Sequence, residues 1–68
     1  MSIYIVHLDL IPEGKYFHEL TDAEIEQMFE TDDTFMIDKY ESVDELSAAF
    51  NSDEIMYPNN AYMRVVND

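Results

Sequence analysis

The chain has 68 residues, enough for one domain, and sets sixteen acidic residues against three basic ones for a formal net charge of −13. An apolar fraction of 47% argues against disorder, which needs low hydrophobicity beside high charge; the lack of cysteine excludes disulfides and thiolate zinc sites. The charge argues against free nucleic acid and anionic membrane as direct partners, because both are polyanions.

Residues 2–10 alternate as a first strand. Tyr4, Val6, Leu8 and Leu10 point one way and are apolar throughout; Ile3, Ile5, His7 and Asp9 point the other way and end polar. The even set is expected to face the core, with the odd face only partly covered. Pro12-Glu13-Gly14 is a turn signal, proline fixing φ and glycine free to take a positive one. Residues 15–18 read as a short extended piece that folds back on the first strand as a hairpin.

The next thirty residues organise the chain as helix, strand, helix. Thr21 stands as an N-cap with Glu24 at the third helical position, a capping box, and Leu20 and Ile25 occupy the two halves of a hydrophobic staple. A helix is predicted over 22–30, with Ile25, Met28 and Phe29 as its apolar stripe. Residues 34–40 are β-rich and are expected to bury Phe35 and Ile37. Ser42 and Glu45 repeat the capping box. A second helix follows over 43–51, with Val43, Leu46, Ala49 and Phe50 on its apolar side. Pro58-Asn59-Asn60 is a turn, and residues 61–66 form the last strand.

This order, β-α-β-α-β within a single acidic domain over 1–68, predicts an α+β (or small α/β) fold: one three-stranded sheet with two short helices on one face. The predicted core is Val6, Leu8, Ile25, Met28, Phe29, Phe35, Ile37, Leu46, Phe50, Met63 and Val65. Crossovers that contain helices favour parallel neighbours; the long approach to the first helix makes a mixed sheet the competing arrangement. So short a chain without disulfides favours a second subunit, and the sheet face of Ile3, Ile5, Tyr62 and Val66, left bare by this arrangement, is the expected homodimer surface.

The acids are placed against helix preferences. Asp22, Glu26 and Glu30 follow one another at i+4 with no lysine between them, each like-charge pair costing ~0.2–0.5 kcal/mol in an isolated helix. Asp32 and Asp33 lie beyond the negative end of the helix dipole, where cations are preferred. The expected function is therefore an acidic protein-binding module whose carboxylate-rich face engages a basic partner. Its residues are Glu26, Glu30, Asp32, Asp33, Asp44, Glu45, Asp53 and Glu54. In the sharpest form of this reading the face mimics nucleic acid and inhibits a DNA- or RNA-binding protein. The alternative is a small homo-oligomeric structural or regulatory domain whose acidity serves solubility. In size, charge and mixed α/β content the chain is similar to small acidic inhibitors carried by phages and mobile elements, antirestriction and anti-CRISPR proteins among them.

Other chemistry has weaker signals. His7, Asp9, His18 and Glu19 are candidate metal ligands, but neither the H-E-x-x-H nor the EF-hand spacing occurs, so no metal or cofactor is expected. Gly14 is the only glycine, which excludes a Gly-rich phosphate loop, and no G-x-S-x-G is present; an enzyme is not expected. Residues 1–10 carry no positive n-region, and no apolar run approaches the roughly 18–20 residues of a membrane span, so a cytoplasmic location is expected.

Overall fold

The computed structural model describes residues 1–32, 35–52 and 58–67. Five regular elements follow in order: β1 (Ser2–His7), α1 (Asp22–Thr31), β2 (Ile37–Tyr40), α2 (Val43–Asn51) and β3 (Ala61–Val66). They form the α+β fold expected, with the β-α-β-α-β order and one three-stranded sheet. The strand order is β2-β1-β3, and β1 is antiparallel to both neighbours. β2 and β3 are consequently parallel to each other, with β1 between them. The helical crossover therefore joins parallel strands that are not neighbours, and the sheet is antiparallel throughout rather than mixed.

β1 is buried along its whole apolar length. Tyr4 and Val6 join Leu20, Ile25, Ile37 and Val66 in one core, with Leu10, Phe17 and Met28 packed against it. Ile3 and Ile5 join Leu46 and Ala49 in a second, with Tyr40 and Ala61 alongside. Because successive side chains of a strand alternate, these cores lie on opposite faces of the sheet. α1 covers one face and α2 the other, so the helices do not share a face as expected. The cause is the unbroken apolar run Ile3-Tyr4-Ile5-Val6, the mark of a central strand covered on both sides. The expected homodimer surface also dissolves. Ile3 and Ile5 lie under α2, only 1% and 3% exposed, while the pairings Ser2↔Val66 and Val6↔Tyr62 put Tyr62 and Val66 on the α1 face.

The capping box of α1 forms in full. Glu24 N–H donates to Thr21 Oγ1 at 3.1 Å, and Thr21 N–H donates to Glu24 Oε1 at 2.9 Å. Leu20 and Ile25 meet in the same core, completing the staple. At α2 only half of the box forms. Glu45 N–H donates to Ser42 Oγ at 3.2 Å, but the Glu45 carboxylate accepts from Glu41 N–H, one residue further back, at 3.0 Å.

Several expected core residues are at the surface. The first strand stops at His7 because the imidazole Nδ1 accepts from Asp9 N–H at 3.0 Å and opens a 3-10 turn over Leu8–Leu10; Leu8 leaves the strand and is exposed. The hairpin expected of residues 15–18 is absent; its place is taken by a 3-10 turn at Phe17–Glu19. The turn before it forms, Lys15 N–H donating to Pro12 O with Gly14 at φ 87°. Phe35 has φ 61° and stands outside β2, almost fully exposed. Asp32 Oδ2 accepts from Met36 N–H at 3.0 Å, and the strand begins only at Ile37.

Phe29 and Phe50 are displaced for a common reason. Each helix rests on positions i and i+3, Ile25 and Met28 in α1, Leu46 and Ala49 in α2. At 100° per residue the phenylalanine at i+4 falls on the flank, and both rings are more than a third exposed. Met63 and Val65 face the α2 side of the sheet opposite Ile5 and Ile3, yet both remain exposed, because α2 seats on β1 rather than β3.

Candidate functional site

The acidic residues expected to form one face are divided by the fold. Glu26 and Glu30 lie on α1, and Asp32 follows as its C-cap. Asp44 and Glu45 lie in the first turn of α2, across the sheet. Asp33, Asp53 and Glu54 fall outside the described residues. Glu30, Asp44 and Glu45 are exposed, while Glu26 and Asp32 are half-buried. Two of these acids have local structural tasks, Asp32 at Met36 N–H and Glu45 at Glu41 N–H. The described carboxylates of this set therefore lie on both sides of the sheet rather than on one.

All three cations are committed within the chain. Arg64 Nη1 donates to Asp22 Oδ1 at 2.9 Å, Lys15 Nζ lies 3.4 Å from Glu24 Oε2, and Lys39 Nζ lies 3.6 Å from Glu41 Oε1. Each pair ties neighbouring pieces of structure, and none relieves the remaining surplus of thirteen negative charges. Glu24 is held below the ordinary carboxylate range, chiefly by the Thr21 N–H, then by the Thr21 hydroxyl and the Lys15 ammonium.

Glu26 and Glu30 come together around a feature the sequence reading missed. With Ser2, Tyr4, Phe29 and Lys39 they line a depression of about 290 Å³. The Lys39 ammonium lies 5.9 Å from the Tyr4 ring centroid and 6.0 Å from that of Phe29, and these two rings meet edge to face at 5.7 Å. The signal was the alternation of β2, which puts Lys39 on the same face as the buried Ile37. A second, apolar groove of about 410 Å³ lies between Pro12, Leu20, Ala23, Gln27 and Met28, with Glu24 at its side.

The metal-ligand candidates take other roles. His7 Nδ1 accepts a hydrogen bond from Asp9 N–H at 3.0 Å, which places the ring proton on Nε2. The Asp9 carboxylate lies 3.7 Å from the same nitrogen. His18 stacks on Tyr16, and Glu19 accepts from Tyr16 N–H at 3.0 Å. Among the described residues, no three His, Asp or Glu side chains converge as a metal-binding group, and no helix is long and apolar enough to cross a membrane.

Comparison with protein-family models, curated proteins and solved structures finds no match to this chain.

Proposed function

We propose that this chain is an acidic protein-binding module whose carboxylate-rich surface engages a basic protein. One observation carries the reading: all three cations are pinned in internal pairs, leaving the whole surplus of thirteen negative charges to the surface field. Solubility alone needs less, since a net charge of magnitude about 2–8 serves a small domain. The longest dimension of the chain is 33 Å, a length over which duplex DNA carries about 19 phosphates. The charge is thus of the same order as that of a duplex segment of equal length. In its sharpest form the proposal is mimicry: the chain occupies the basic groove of a DNA- or RNA-binding protein and excludes its nucleic acid. Carboxylates on both faces of the sheet suit a groove that wraps a body better than a flat patch.

The test is capture from native cell extract at low and high salt, followed by competition with nucleic acid on the recovered partner. Binding through complementary fields weakens steeply with salt. Two charge-reversed variants separate the faces, Glu26→Lys with Glu30→Lys on α1, and Asp44→Lys on α2. Weakened capture by either variant supports the proposal and identifies the working face. Salt-insensitive capture, or undiminished binding by both variants, leaves the acidic surface with solubility as its only role.

A further inference from the structure

We infer that the outer edge of β3 is a docking site for an extended, basic segment of a protein partner, which joins the sheet as an additional strand. The inference rests on the reading of this chain as a binder of a basic protein, and it adds where and how the partner is held.

β3 is the terminal strand in the order β2-β1-β3, so its outer backbone N–H and C=O groups face no strand among the described residues. Edges of this kind are usually blunted by shortness, by lysine, by proline or by charge, because they template pairing with another chain. The two edges of this sheet differ in that respect. β2 is four residues long and carries Asp38 and Lys39 at its centre. β3 is six residues long and reads Ala-Tyr-Met-Arg-Val-Val. Its one charged residue does not guard it. Arg64 is turned back onto α1, donating to Asp22 Oδ1 at 2.9 Å and to the Phe17 carbonyl at 3.1 Å, with its guanidinium over the Phe17 ring.

The side chains beside this edge are apolar and open. Met63 is 57% exposed and Val65 42% on the α2 side of the sheet, and Tyr62 is 44% exposed on the other side, stacked on Phe17. Strand addition takes affinity from main-chain hydrogen bonds and specificity from alternate side chains on each face. An added strand would lay alternate side chains beside Met63 and Val65, and the others beside Tyr62. Charge selects the occupant. A segment carrying lysine or arginine is drawn toward the acidic chain, whereas a second copy brings thirteen further negative charges to the same edge.

The experiment uses the full chain, isotopically labelled for NMR, and a synthetic alternating lysine–valine peptide of about eight residues, long enough to span β3. The expected result is saturable binding with shifts and slowed amide exchange centred on residues 61–66, and no binding by the alternating glutamate–valine peptide. Met63→Lys should weaken the lysine–valine peptide by about tenfold or more, the loss expected of an anchoring side chain. Glu13→Gln, which changes net charge by the same amount in an exposed turn outside β3, should leave affinity within about twofold. Met63 is solvent-exposed, so a melt of Met63→Lys close to the parent curve shows that the fold is kept. No binding by the lysine–valine peptide overturns the inference. So does binding that shifts helix amides and leaves β3 exchanging freely, an outcome under which the acidic-surface proposal stands. A dimer in light scattering that Met63→Lys dissociates also overturns it, and assigns the edge to a second copy.

Discussion

Arg64 reaches from the last strand to Asp22 in the first turn of α1, 42 residues earlier in the chain, with Nη1 2.9 Å from Oδ1. The same guanidinium holds the Phe17 carbonyl and lies 5.0 Å from the Phe17 ring centroid. One half-buried side chain thus joins β3, α1 and the turn before it. Arg64→Ala is expected to cost about 2 kcal/mol in urea unfolding, from lost charge-assisted hydrogen bonds and lost packing of the stem. Asp22→Asn should cost well under half as much, because that carboxylate is 56% exposed and solvent screens it. Equal losses for the two variants would show that the ion pair, and not the contacts at Phe17, dominates.

Burial separates the two kinds of apolar helix residue. Ile25 is fully buried, whereas Phe50 is 47% exposed. Ile25→Ala should cost about 2–5 kcal/mol, enough to unfold much of a domain this small. Phe50→Ala, despite the larger side chain, should cost roughly 1–2 kcal/mol, since only the buried part of the ring leaves a gap. A chemical denaturation series in which Phe50→Ala is the more damaging change would refute the placement of α2.

The same comparison shows how far the fold can be read from the chain. The ends of α2 and β3 and the start of α1 were legible, because caps and turn residues act locally and leave local signatures. The class followed from the order of those elements. Which face each helix covers was not legible from amphipathic stripes, because a stripe wide enough to include Phe29 and Phe50 does not say which of its residues sit at the centre. The better clue was β1. Four apolar residues in a row leave no polar side for solvent, so that strand had to be central and covered twice. Of the acidic surface, the residue types were legible but their distribution was not, since it follows from the helix placement.

Acid should remove one specific prop of α1. The Glu24 carboxylate accepts from Thr21 N–H and is held below its ordinary value by that bond first, then by the Thr21 hydroxyl and by Lys15. A carboxylate with a lower pKa folded than unfolded contributes stability above its ordinary value, near 4.3. That contribution disappears as pH falls through the lower folded value. Glu24→Gln keeps a capping side chain without the charge. Between about pH 5 and 3 the parent should therefore lose stability faster than Glu24→Gln, and the two curves should converge. Parallel melting curves across that range would show that Glu24 titrates as it does in the unfolded chain.

Phe35 sits at φ 61°, where a side chain with Cβ is strained, and the residue is 86% exposed. At that exposure burial recovers little of the cost. Phe35→Asn, a residue that tolerates the left-handed region, is expected to stabilise the chain by on the order of 0.5–1 kcal/mol. If the ring anchors the proposed basic partner, the same substitution weakens capture while raising the melting temperature. A melting temperature that falls for Phe35→Asn would show that the aromatic ring supports the folded state.

Salt acts on the whole charge distribution at once. Among the described residues three Lys or Arg pairs with carboxylates stand against a net charge of −13, so the sum over the surface is repulsive. Folding brings these charges within 33 × 26 × 20 Å, closer than the unfolded chain holds them. At physiological ionic strength the Debye length is about 8 Å, short against those dimensions, so repulsion across the molecule is screened while the 2.9 Å contact of Arg64 with Asp22 is screened less. Raising sodium chloride from a few millimolar to physiological levels should therefore stabilise the chain by roughly 1 kcal/mol, or about 4–8 °C in melting temperature. Neutralising the exposed Glu30 and Asp44 as Glu30→Gln with Asp44→Asn should raise the low-salt melting temperature and flatten the salt response, because part of the repulsion is already gone. Those two residues lie on opposite faces of the sheet, so the response should shrink for each substitution separately. A parent melting temperature that is flat or falls with salt would mean that the acids are compensated locally, and would remove the unrelieved surface field on which the proposed binding of a basic partner rests.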